Sequence, residues 1–189
     1  MLKVAICGID GAGKSFLIEK LVAHFQNLGI AVDNTKVDFH CKEICKQVDL
    51  LKEKNIVRIG MAYDFVNHYI YFKSTSQLLI CDRFDVCYRV LNRVDALDNI
   101  LIEQLDKLYS IIEDADLYIY LDLPVNIAAK RLALRGNRAN NESDEILKLM
   151  QHYYKSELAK KKNVKVIDAS QSSDVVFETA KNIIEKLMR

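Results

Sequence analysis

Residues 8–15 read Gly8-Ile9-Asp10-Gly11-Ala12-Gly13-Lys14-Ser15, the spacing of a Walker A phosphate loop. The glycines let consecutive backbone N–H groups converge on a polyphosphate, because a Cβ would block those dihedrals or the close approach. Lys14 can reach the outer phosphates, and Ser15 offers a hydroxyl to Mg²⁺. A helix opening at the loop adds the partial positive charge of its N-terminus. Gly8, Asp10, Gly11, Ala12, Gly13, Lys14, Ser15 and Phe16 are thus the expected contacts to a nucleoside triphosphate. The competing reading is a Gly-rich turn. An apolar run before the loop (2–7) and a helical pattern after it favour the phosphate reading.

Leu78-Leu79-Ile80-Cys81-Asp82 is a second chemical signal, four apolar residues ending in a carboxylate. A buried parallel strand of this kind delivers Asp82 to the sheet edge beside the phosphates. There it can hold Mg²⁺ or accept a proton from an acceptor hydroxyl. Arg83 follows, with a planar fork suited to phosphate oxygens. A capping aspartate beside a surface arginine is the bland alternative, and the complete phosphate loop upstream outweighs it.

These residues need elements to position them. Apolar or β-branched runs at 2–7, 31–37, 77–82, 116–122 and 164–168 read as five strands. Helical stripes separate them: Leu17, Leu21, Phe25 and Leu28; then 56–73, 98–113 and 125–134; and last Val176, Ala180, Ile183 and Leu187, capped by Ser172 or Ser173. Alternation of this kind predicts an α/β protein with a parallel sheet covered on both faces. Ligands then bind beyond the carboxyl ends of the strands, in loops after Cys7, Phe39, Asp82, Leu123 and Asp168.

The 189 residues contain one proline and six glycines and show no linker or repeat, so a single domain spanning 1–189 is expected. Lysine plus arginine number 27 against 26 aspartates plus glutamates, which argues against a nucleic-acid partner. No stretch looks like a leader or a membrane span, and an odd count of five cysteines suits a reducing compartment; a cytoplasmic setting is expected. His40, Cys41 and Cys45 invite a metal reading but lack a second ligand cluster. Lys160-Lys161-Lys162 reads as a solvated helix end.

The loop Gly8–Ser15, the Asp82-Arg83-Phe84 triplet, Asp116–Pro124, Ala129-Lys130-Arg131 through Arg135-Gly136, and Ile167–Ser172 together resemble the thymidylate kinase family, in order and spacing. The resemblance implies a three-layer P-loop NTPase fold with a five-stranded parallel sheet and a short lid at about 135–143. It implies Lys14 and Ser15 on ATP and Mg²⁺, Arg131 stacked near the adenine, and Asp10 near the acceptor. Asp82 would organise Mg²⁺ or the acceptor, and Arg83 would hold the acceptor phosphate. Alanine at position 12 matches the type whose catalytic arginine comes from the lid, with Arg135 and Arg138 as candidates. A homodimer is a further implication.

The acceptor side departs from the family. Its Arg-Glu-Pro-Gly after the second strand is replaced by Asp38-Phe39-His40-Cys41. Asp64 stands at or beside the arginine set against thymine, and Leu91-Asn92 replaces a Tyr-Gln pair. Phe39, Asp64 and Asn92, with Asp10 and Arg83, are therefore the expected acceptor contacts. A carboxylate in place of a guanidinium accepts where the other donates, so altered base specificity is expected. The leading expectation is ATP- and Mg²⁺-dependent phosphoryl transfer to a nucleotide-like acceptor. A deoxynucleoside kinase using Asp82 as base toward a free 5′-hydroxyl is the enzymatic alternative. A non-catalytic nucleotide switch is the alternative from another class; the Asn-Lys-x-Asp motif of guanine-specific switches is missing.

Overall fold

The computed structural model describes residues 1–47, 53–134 and 143–189. Five strands, β1 (Leu2–Cys7), β2 (Val32–Thr35), β3 (Leu78–Asp82), β4 (Leu117–Asp122) and β5 (Val164–Asp168), form one sheet in the order β2-β3-β1-β4-β5. All neighbours are parallel. The central three strands are buried at successive residues, so both faces are covered, as a doubly wound sheet requires.

Among the described residues eight helices accompany them: α1 (Lys14–Asn27), α2 (His40–Gln47), α3 (Lys54–Tyr71), α4 (Asp85–Val94), α5 (Asn99–Tyr109), α6 (Val125–Ala133), α7 (Asp144–Leu158) and, after the last strand, α8 (Ser173–Met188). Helices α1 and α8 pack together, while α3, α4, α5 and α7 form a second group. Helix α8 is capped as expected, with the Ser172 hydroxyl accepting from the Val175 N–H.

Two departures from the sequence reading bear on the site. Strand β2 stops at Thr35, two residues before the expected end. The acceptor-side loop therefore begins at Lys36, and Lys36 leaves the sheet at its carboxyl edge. Helices α4 and α7 were not among the stripes picked out. In α4 the buried face carries Asp85, Arg89 and Asn92 among its apolar residues, which breaks the hydrophobic pattern.

The register explains where the chemistry collects. Ile6 pairs with Asp82, so the end of β1 and its phosphate loop lie directly beside Asp82 and Arg83. On the other side Asp122 pairs with Asp168, bringing the last loop level with the start of α6. Topology alone converges the loops after all five strands on one edge.

Candidate active site

The phosphate loop takes the conformation its sequence demands. Gly8 has φ +151° and a Cβ there would sit 2.9 Å from the Leu121 carbonyl oxygen, leaving no room for a side chain. Gly13, at φ +88°, is the N-cap of α1 and supplies no side chain to it. Acidic residues are likewise missing from the first turn, whereas α5, α7 and α8 are capped by Asp98, Ser143 and Ser172. The open N–H groups of α1 thus face a site for an anion.

Lys14 is buried, with its Nζ donating to the Gly8 carbonyl at 2.8 Å and the Ile9 carbonyl at 2.9 Å. Burial lowers its pKa, and the nearby Arg83 adds to the effect. Asp10 lies between the two cations: Arg83 Nη2 donates to its Oδ1 at 2.8 Å, and Lys14 Nζ is 3.6 Å away. Burial pushes the Asp10 carboxyl up, but Arg83 and Lys14 outweigh it and hold the pKa below the ordinary value. Asp10 thereby fixes Arg83, whose backbone sits at φ +72°, a costly conformation for a non-glycine residue and one often found at functional sites.

Two clefts meet at this loop. The first, about 390 Å³, is charged and lined by Asp10, Gly11, Gly13, Lys14, Ser15, Phe16, Lys36, Asp82 and Arg83. The second, about 230 Å³, is mostly apolar and lined by Ala12, Leu17, Arg131, Ala169, Gln171, Ser173 and Val176. Gly11, Gly13 and Phe16 belong to both. Arg131 is held flat against the second by donating to the carbonyls of Ala169 (3.0 Å) and Gly11 (3.5 Å).

Lys36 is the residue of the charged cleft that the sequence reading missed. Its Nζ lies 3.2 Å from Asp82 Oδ2; Lys36 is 64% exposed and Asp82 14%. The signal lies in the boundary of β2: the sequence reading carries that strand to residue 37, which encloses Lys36, whereas the strand ends at Thr35.

The acceptor-side expectations fare differently. Asp64 is buried and its Oδ2 accepts from the Cys41 N–H, 3.0 Å away at the start of α2. The donor it meets is therefore a helix N-terminus of the protein itself, not a base. Phe39 places its ring edge-on to Tyr88 at 5.4 Å between centroids. Asn92 requires a correction: it is fully buried and its amide donates to the Tyr109 hydroxyl at 3.4 Å. It belongs to the packing of α4 against α5 and does not reach the cleft. Arg135 and Arg138, with the lid apart from Ser143, lie outside the described residues. Among the described residues no group of three or more His, Cys, Asp or Glu could form a metal cage, the His40-Cys41-Cys45 set included. Among the same residues no helix is long and apolar enough to cross a membrane.

A family model described as thymidylate kinase matches residues 6–180. This chain belongs to the thymidylate kinase family. Relatives include a probable thymidylate kinase 1 of Saccharolobus solfataricus, 29% identical over 97% of this chain and 96% of its own. A probable thymidylate kinase of Methanococcus aeolicus is 28% identical over 96% and 93%. Deoxyadenosine kinase from M. mycoides with bound dATP shares the fold, with a TM-score of 0.72 at 21% identity, covering 97% of this chain and all of that one. The member of the family described by these residues is a P-loop phosphotransferase that moves a phosphoryl group from ATP to a nucleotide-like acceptor.

Proposed function

We propose that this thymidylate-kinase-family enzyme binds the adenine of ATP in the apolar cleft beside Arg131 and the polyphosphate on the loop Gly8–Ser15. The acceptor then lies over Arg83 and Lys36 in the charged cleft. The observation that carries this reading is the meeting of the two clefts at Gly11, Gly13 and Phe16, which sets donor and acceptor on either side of one loop. Ser15 and Asp82 share the charged cleft and fit Mg²⁺, which takes one or two protein oxygens and completes its shell with phosphates and water. Bound there, the ion would neutralise charge on the phosphates in transfer. Arg135 and Arg138 are proposed to close over the transferred group from the lid.

Lys36 gives the acceptor site a cation where the family's Arg-Glu-Pro-Gly arginine is lacking. We assign it to a phosphate already carried by the acceptor. Lys36→Met should raise KM for a nucleoside monophosphate about 10- to 100-fold, the worth of one charged hydrogen bond, and leave KM for ATP unchanged. A nucleoside accepted equally well by both forms, with the monophosphate KM unmoved, would instead place the free hydroxyl of a deoxynucleoside at Asp82.

Base choice follows from Asp64. A carboxylate turned onto the Cys41 N–H leaves the cleft without the guanidinium that would donate to thymine carbonyls. In a panel of thymidylate and guanine-, adenine- and cytosine-bearing acceptors, thymidylate is expected to trail the best by about tenfold or more in kcat/KM. Thymidylate leading the panel would defeat this.

A homodimer through α3 is also proposed. Ile56, Ile59, Tyr63 and Ile70 recur at helical spacing and stay about half or more exposed, an apolar stripe suited to a second copy. A cytoplasmic location completes the reading.

A further inference from the structure

Cys7 closes β1 immediately before Gly8, and Cys87 sits in the first turn of α4, just beyond Asp82 and Arg83. Both side chains are fully buried, and the Cys87 thiol donates to the Cys7 sulfur at 3.7 Å. We propose that Cys7 and Cys87 form an oxidisable dithiol beneath the phosphate loop, closed to a disulfide by hydrogen peroxide and reopened by a thiol reductant, with nucleotide binding lost in the closed form.

The two sulfurs differ in readiness. Burial raises the Cys87 pKa, but when ionised its thiolate accepts hydrogen bonds from Cys7 and the Tyr154 hydroxyl and faces the Arg83 guanidinium, which together outweigh burial and leave the pKa below the usual thiol value. Cys7 is pushed up by its hydrogen-bonded neighbour Cys87 and by burial. Cys87 is therefore the attacking thiolate. Its sulfur attacks one peroxide oxygen as the O–O bond breaks, becoming a sulfenic acid; the other oxygen leaves as hydroxide, which takes up the proton Cys87 had released and becomes water. Cys7 sulfur then displaces that hydroxyl, which leaves as a second water with the Cys7 proton, and the S–S bond forms. Two thiols are oxidised and one peroxide is reduced.

The consequence lies in the neighbouring peptides. A disulfide draws the sulfurs from 3.7 Å to about 2.0 Å. Cys7 then pulls on Gly8, which has no slack against Leu121, and on the Gly8 and Ile9 carbonyls that hold Lys14. Because both thiols are sealed, oxidation waits on local opening of the loop, and bound ATP should slow it.

The test treats the full chain with hydrogen peroxide, with and without saturating ATP. The expected result is a mass loss of about 2 Da, a mapped Cys7–Cys87 peptide pair, and ATP affinity at least tenfold weaker that recovers with dithiothreitol. ATP should protect, and Cys87→Ser should keep its ATP affinity under peroxide. A disulfide mapped to other cysteines, no mass loss, or equal inactivation of Cys87→Ser would overturn the proposal. If Cys87→Ser does not fold, peptide mapping of the unmodified sequence decides alone.

Discussion

A Lys14→Ala variant is expected to lose phosphoryl transfer by on the order of 10³-fold or more while keeping its fold, because we propose that the ammonium stabilises charge on the transferred group. The separation of the two effects follows from its surroundings. Lys14 contacts loop carbonyls and Asp10 and is not part of the apolar core. Its pKa is lowered mainly by burial, so the folded chain holds this charge at a cost. Asp10 keeps Arg83 when Lys14 is gone. Product formation from labelled ATP, beside a melting curve of the same sample, measures both. Turnover matching the unsubstituted enzyme would remove the basis for the whole site.

Asp85→Ala should have the largest effect on stability, about 3 kcal/mol, the lower end of what breaking a buried ion pair costs. Its side chain is 2% exposed and faces three partners: the Tyr118 hydroxyl on β4 at 2.8 Å, Arg89 one turn along α4 at 3.2 Å and Lys161 in the loop after α7 at 2.7 Å. Removing the carboxylate strands two nearly buried cations. Arg89 retains Asp106 at 3.0 Å and Lys161 retains Asp114, which keeps the loss from being larger. For a chain of this size the melting midpoint should fall by roughly 6–12 °C. A midpoint within about 2 °C of the original would mean that Arg89 and Lys161 find other partners. Asp85 lies three residues past Asp82, so transfer should weaken as well.

How far the sequence reveals the molecule depends on how local each feature is. The phosphate loop is legible because its glycines, lysine and serine act through backbone geometry within eight residues. The five strands and their parallel pairing follow from alternation of pattern. Helix α7 is equally legible, with Leu147, Met150, Tyr154 and Leu158 on one buried face, although the sequence reading gives no helix there. Helix α4 was hidden for a physical reason: its buried charges are satisfied by residues distant in the chain, such as Lys161 and Asp106. Lys36 and Asp64 show the same limit. The role of Lys36 turns on where β2 ends, and that of Asp64 on α2 folding back over α3. Neither depends on the spacing of the residues around it.

The crossing of α2 over α3 has a consequence for how such an enzyme could change hands between substrates. A Cβ at Gly60 would lie 2.5 Å from the Cys41 Cβ, so the two helices touch only because Gly60 has no side chain. Cys41 follows Phe39 and His40, and its N–H is the group Asp64 holds. An enlarged residue at Gly60 would wedge α2 outward and carry the whole acceptor-side segment with it, without altering any residue that meets the acceptor. One mutation remote from the ligand could thus widen the site before any contact residue changes. Gly60 is therefore a position at which laboratory selection for bulkier acceptors is expected to yield substitutions away from the cleft itself.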